Sequence, residues 1–210
     1  MGWTEQAEAA IGRYRNGETR EPDQRQLTQL GNAAWAAGLS LLMAGRREEA
    51  ADWLQTAAGR YRESWQDAPP DSWGRPIAAM KALLLAGDDA SEAARWALDA
   101  GAATAESPIG RYAGALAYLV LGEDVEARAL GSTLRAREDF PPAVAAAIVT
   151  LAAADRAGYP LAIQEVLESF EKRADFLEDV RVADTVLVLQ LLAAKRDAAV
   201  ELPQSELLPS

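Results

Sequence analysis

The sequence predicts an all-α protein built from helices in antiparallel pairs. Three observations carry that expectation. Ala, Leu, Glu, Arg and Gln, which favour helix, dominate the composition. Apolar residues recur at the three-and-four spacing of a helical face, not at the alternation of a strand. Turn-forming stretches then cut the chain at intervals: "RNGETREPD" (Arg15 to Asp23), "DAPPDSWGRP" (Asp67 to Pro76), "GDD" (Gly87 to Asp89), "ESP" (Glu106 to Pro108), "FPP" (Phe140 to Pro142) and "GYP" (Gly158 to Pro160).

Between the breaks the elements follow in order. A first helix is expected over 3–15, ending at the Asn-Gly break. Then come four short-looped pairs: 25–44 with 47–66, 72–86 with 89–102, 108–121 with 124–138, and 141–157 with 160–174. Ser107-Pro108 and Tyr159-Pro160 put proline at a first helical position, where its missing N–H is no loss. Glu48-Glu49, Asp88-Asp89 and Glu123-Asp124 open the second helix of a pair, where the helix dipole favours negative charge. A final helix over 181–196 holds "VADTVLVLQLLAA" (Val182 to Ala194), apolar on nearly all sides, so it belongs in a core or awaits a partner. The tail 197–210, "ELPQSELLPS" at its end, supplies Leu202, Leu207 and Leu208 between prolines, suited to lying along a groove. At 210 residues the whole is expected to form one domain, 1–210.

The hinge glycines Gly45, Gly87, Gly122 and Gly158 are separated by 42, 35 and 36 residues, a helical-hairpin repeat period. In "LGNAAWAAGLSLLMAGRREEAADWLQTAA" (Leu30 to Ala58) the small residues Gly38, Ala50 and Ala57 fall at positions eight, twenty and twenty-seven when Gly45 is fifteen, with Leu41 and Leu54 between them. This resembles the tetratricopeptide repeat, whose small residues at those places let helices approach closely. Ala115, Tyr118, Gly122 and Ala127 continue the pattern in the third pair; Met80, Leu134 and Leu151 depart from it. The resemblance covers about residues 27–174 and implies hairpins stacked as a short right-handed superhelix.

It also implies a concave groove lined by Asn32, Trp35, Leu39, Leu42 and Met43 in the first repeat and Gly74, Ile77, Lys81, Leu84 and Leu85 in the second. The third contributes Ile109, Tyr112, Leu116, Leu119 and Val120, and the fourth Ala145, Ile148, Ala152, Asp155 and Arg156. So apolar a lining either holds an apolar ligand or helix, or is filled by the chain's own termini or a second copy.

Composition narrows the chemistry. Cysteine and histidine are both absent, which removes disulfides, thiolate zinc, cysteine nucleophiles, histidine relays and nearly every catalytic zinc site. With 32 acidic against 21 basic residues the net charge is −11, which opposes binding to nucleic acid or to anionic membranes and suits a basic partner. The opening "MGWTEQAEAAIGRYRNG" lacks the pattern of a signal peptide, and no apolar run reaches the ~18 residues of a membrane span, so a cytoplasmic location is expected.

Trp35, Lys81, Arg111 and Tyr112 are the candidate partner-binding residues, an aromatic and cationic patch if exposed and core with solvated cations if not. Trp65 and Trp73 flank the rigid Pro69-Pro70 turn, either as a recognition loop or as caps on the hairpin junction. Glu168, Glu171, Asp175, Glu178 and Asp179 in "ESFEKRADFLED" place carboxylates along one helical face, for acid–base or cation chemistry or simply for solvation. No phosphate loop, nucleophile elbow or zinc spacing occurs.

The expected function is a non-enzymatic, cofactor-free adaptor that binds a protein or peptide, with self-association as a homodimer through its last helix. A bacterial toxin-immunity protein is the rival; many are small, acidic and helical, and the ending "LLP" behind a hydrophobic helix resembles one such family. The third reading is a metal- or carboxylate-dependent helical enzyme.

Overall fold

The computed structural model describes residues 2–209. Among them are ten α-helices and no strand: α1 (Trp3–Gly17), α2 (Gln24–Met43), α3 (Arg47–Ser64), α4 (Gly74–Ala86), α5 (Ser91–Asp99), α6 (Pro108–Leu121), α7 (Asp124–Arg135), α8 (Pro142–Ala152), α9 (Gly158–Glu171) and α10 (Asp184–Ala194). The chain is all-α, and each expected helix is present. Gly45, Gly87 and Gly122 carry positive φ of 76°, 85° and 76°, closing their helices in the left-handed region that glycine enters without a Cβ penalty.

Several helix ends differ from the expected ones by two or three residues or more, and two of them show a local reason. The reading 141–157 overruns, because α8 stops at Ala152 and the left-handed residue is Ala154 (φ 51°), not Gly158. The Asp155 carboxylate then accepts from Ala157 and Gly158 N–H (3.1 and 2.9 Å), and this side-chain turn starts α9. Likewise 89–102 is cut at Asp99, because Gly101 takes φ 91° and a 3-10 turn, Ala102–Thr104, follows.

The chain divides into two compact units, with the boundary between α4 and α5, inside the second expected pair. The first unit holds the chain up to Asp89, Ala174–Val182 and the tail from Ser205. In it α1 packs on α2, α2 on α3 and α3 on α4. α2 begins where Asp23 caps it, accepting from Arg25 and Gln26 N–H at 2.8 Å while the Gln26 carboxamide accepts from Asp23 N–H. From Ala33 to Leu41 every residue of α2 is buried. That requires close neighbours on all sides: a Cβ on Gly38 would lie 2.6 Å from Leu54 Cγ, and one on Gly31 2.9 Å from the Tyr61 ring. Ala7, Leu41 and Ala50 form a core between the first three helices, with Leu42 and Trp53 against it. Tyr14 meets Trp53 edge-on at 5.2 Å and accepts from Arg60 Nε at 2.9 Å. A 3-10 turn, Leu177–Asp179, packs on α2.

The second unit comprises Ala90–Arg173 and Ala183–Gln204. Here α5 packs on α6, α6 on α7, α7 on α8, α8 on α9, and α10 on α8 and α9. Both faces of α10 that carry Val186, Val188, Leu189 and Leu192 are buried, so its apolar character serves the core; Leu191 is its exposed apolar residue. Behind α10 the Gln190 carboxamide pairs with both main-chain groups of Val200 and accepts from the Tyr159 hydroxyl at 3.2 Å.

Burial raises the pKa of Tyr159 well above the ordinary tyrosine value of 10.0. The folded state therefore holds this proton where the unfolded chain releases it. Stability is full below about pH 10 and falls as pH rises beyond it, by at most ~1.4 kcal/mol per pH unit. Urea unfolding at pH 9 and 11 checks this: Tyr159→Phe is expected to lose part of the alkaline decline that the parent shows.

Candidate functional site

A cleft of about 320 Å³ opens in the first unit, lined by Arg13 and Gly17 of α1, Gln26, Gln29, Leu30 and Ala33 of α2, and Glu178 of the 3-10 turn. Each wall has a local cause. α1 ends at Gly17, where a Cβ would come to 3.3 Å from Leu30 Cδ2, so the two helices close at that end. Gln26 is placed by its cap contact with Asp23. Glu178 is placed by an unusual backbone: Glu178 and Asp179 both sit in the left-handed region (φ 56° and 59°), which non-glycine residues enter at a cost. Gln6 Nε2 donates to the Asp179 carbonyl at 3.1 Å and ties the turn to α1.

Across the cleft Arg13 Nη2 meets Glu178 Oε2 at 3.1 Å. The two members differ: the Arg13 side chain is 47% exposed and that of Glu178 only 26%. Leu30 is buried and Gln29 exposed, so the cleft has an apolar floor and a polar rim. Chemically it offers one carboxylate, one guanidinium and two carboxamides, a set that recognises hydrogen-bonding groups by geometry and charge.

The carboxylate run of the sequence behaves differently from its helical reading. α9 ends at Glu171, so Asp175, Glu178 and Asp179 do not continue its face. Glu168 pairs with Lys172 (3.7 Å) and accepts from Gln164 (3.2 Å) on the helix surface. Among the described residues no group of three or more acidic side chains is arranged to hold a metal ion.

The six residues singled out from sequence are not brought together as an exposed patch within either unit. In the first unit Trp35, Lys81 and Trp73 are buried and Trp65 is half-buried. Trp65 and Trp73 stack at 5.8 Å with a tilt of 45°, and Trp73 Nε1 donates to Asp71 at 2.9 Å, so the two indoles close the junction behind Pro69-Pro70. In the second unit Tyr112 is buried against Phe140 at 5.5 Å, and half-buried Arg111 donates to the Ala105 carbonyl at 3.0 Å. Most of the apolar groove positions are core as well: Leu39, Ile77, Leu84, Leu116, Leu119, Ala145 and Ile148 are buried. Asn32 accepts the Tyr61 hydroxyl at 2.9 Å.

Comparison with family models, with curated proteins and with solved structures finds no match to this chain. Among the described residues no helix is long and apolar enough to cross a membrane.

Proposed function

We propose that the protein is a non-enzymatic helical-hairpin module that binds a basic protein or peptide segment. The observation that carries this reading is the cleft of the first unit, whose ion pair and carboxamides over an apolar floor suit recognition of a polar segment. Charge supports the choice of partner, since both compact units are net acidic. An acidic surface accelerates encounter with a basic partner and repels acidic ones. The finer architecture belongs to the same proposal: Gly38 against Leu54 and Ala50 is the close helix approach that a tetratricopeptide-like hairpin needs, and stacked hairpins serve as extended binding scaffolds.

The test is capture of partners from native lysate on the tagged protein at low salt, followed by elution with rising ionic strength. A stoichiometric, basic partner released by salt is the expected result. Retention of no protein, or of partners whose binding is indifferent to salt, would overturn the reading.

A further inference from the structure

We propose that the cleft between α1, α2 and the 177–179 turn is a receptor for an arginine side chain of the partner, and that Arg13 is an internal stand-in for it. The inference rests on the binding reading above and names the chemistry that the cleft takes. Four features of the first unit lead to it.

The anion is the fixed member of the pair. Glu178 lies in a turn held to α1 through Gln6 and packed on α2, and its side chain is the less exposed of the two. Arg13 reaches it from a half-exposed position with a long, rotatable stem, so separating them moves Arg13 into solvent and leaves the carboxylate in place. A partly exposed ion pair of this kind is closed most of the time and still opens readily.

The acceptors match a guanidinium better than an ammonium. A guanidinium presents five N–H donors in a planar fork, against one compact charge in lysine. Glu178 supplies the carboxylate and Gln29 a carboxamide oxygen on the α2 side, while the Gln26 oxygen, already accepting from Asp23 N–H, keeps one further lone pair. Gln29 is exposed on α2 and its carboxamide lines the cleft, where an incoming donor can reach it.

Size and floor fit a side chain and not a cofactor. About 320 Å³ stands at the lower end of ligand pockets, roughly 300–1,000 Å³, enough for one long side chain. Leu30 and Ala33 give the methylene stem an apolar surface. An arginine seated there exchanges one guanidinium for another at Glu178, so the site's charge balance is kept while Arg13 returns to water.

The experiment is calorimetric titration at low salt with a blocked pentapeptide, acetyl-Gly-Ala-Arg-Ala-Gly-amide, and its citrulline counterpart, which keeps the shape and loses the charge. Saturable binding of the arginine peptide and none of the citrulline peptide is expected. Arg13→Ala removes the competitor and should tighten binding by about tenfold, the gain when an internal pair closed nine-tenths of the time is lost. Glu178→Gln should weaken it by at least about tenfold, with circular dichroism confirming that both variants fold.

No saturation with any variant, equal binding of citrulline, or unchanged affinity in Arg13→Ala would overturn the assignment. The two readings fail separately. A captured basic partner that binds Glu178→Gln as well as the parent leaves the binding function standing and removes the arginine site.

Discussion

Gly38→Ala is expected to destabilise the first unit by about 2 kcal/mol, although alanine favours helix over glycine by about 1 kcal/mol. The added methyl would stand 2.6 Å from Leu54 Cγ, 2.8 Å from its Cδ2 and 3.3 Å from the Ala50 carbonyl oxygen. Leu54 is completely buried, so it has no open side to move toward, and α3 must shift instead. Gly59 is the control: it lies in α3, is exposed, and a Cβ there meets nothing within 4 Å, so Gly59→Ala should stabilise by up to ~1 kcal/mol.

A double-mutant cycle decides whether the steric account is right. Leu54→Ala alone costs about 2–5 kcal/mol through the cavity it leaves. In that background the methyl of Gly38→Ala has room and fills part of the void, so the second substitution should be neutral or stabilising. The coupling is then about 1–3 kcal/mol by urea unfolding. Additive costs would mean that Gly38 is required for something other than its approach to Leu54.

This same position shows how much of the fold was legible in the sequence and why. Gly38, Ala50 and Ala57 stand out because a close helix contact leaves a mark at fixed spacing within one hairpin. Helix ends are marked similarly where a glycine takes positive φ, as at Gly45, Gly87 and Gly122. Where another residue does that work the mark is missing: Ala154 closes α8, and the sequence pattern runs on past the end of the helix.

The cleft was not legible for a related reason. It joins Arg13 to Glu178, remote in sequence, and no periodicity links residues that meet only through tertiary folding. In the sequence Glu178 falls on a helical carboxylate face, since nothing in "FLED" signals two successive left-handed residues. Conversely, the aromatics stand out in the sequence because they are large. Trp35, Trp73 and Tyr112 are buried for that same reason.

Arg196→Ala should have an effect of similar size in the second unit, about 2–3 kcal/mol. The Arg196 guanidinium meets four acceptor atoms. Nη2 bonds Asp124 Oδ1 at 2.6 Å and the Leu119 carbonyl at 2.7 Å, Nε bonds Asp124 Oδ1 at 3.1 Å and its Oδ2 at 3.3 Å, and Nη1 bonds the Leu192 carbonyl at 3.0 Å. The Arg196 side chain is 16% exposed and that of Asp124 39% exposed, so the charge attraction alone is screened and is the smaller part. The larger part is the two helix-end carbonyls: Leu119 at the end of α6, whose other donor is the Gly122 N–H at a long 3.4 Å, and Leu192 in the last turn of α10.

Two substitutions separate the parts. Asp124→Asn removes the charge, keeps a hydrogen-bonding oxygen and leaves both carbonyl contacts, so it should cost under about 1 kcal/mol. Arg196→Lys keeps the charge and cannot fork to the carboxylate and the two carbonyls at once, so it should fall near Arg196→Ala. Hydrogen exchange supplies the location: amides at the C-terminal ends of α6 and α10 should lose protection in both Arg196 variants and keep it in Asp124→Asn. If Arg196→Lys instead matches the parent, charge holds the end of α10 and the carbonyl contacts are incidental.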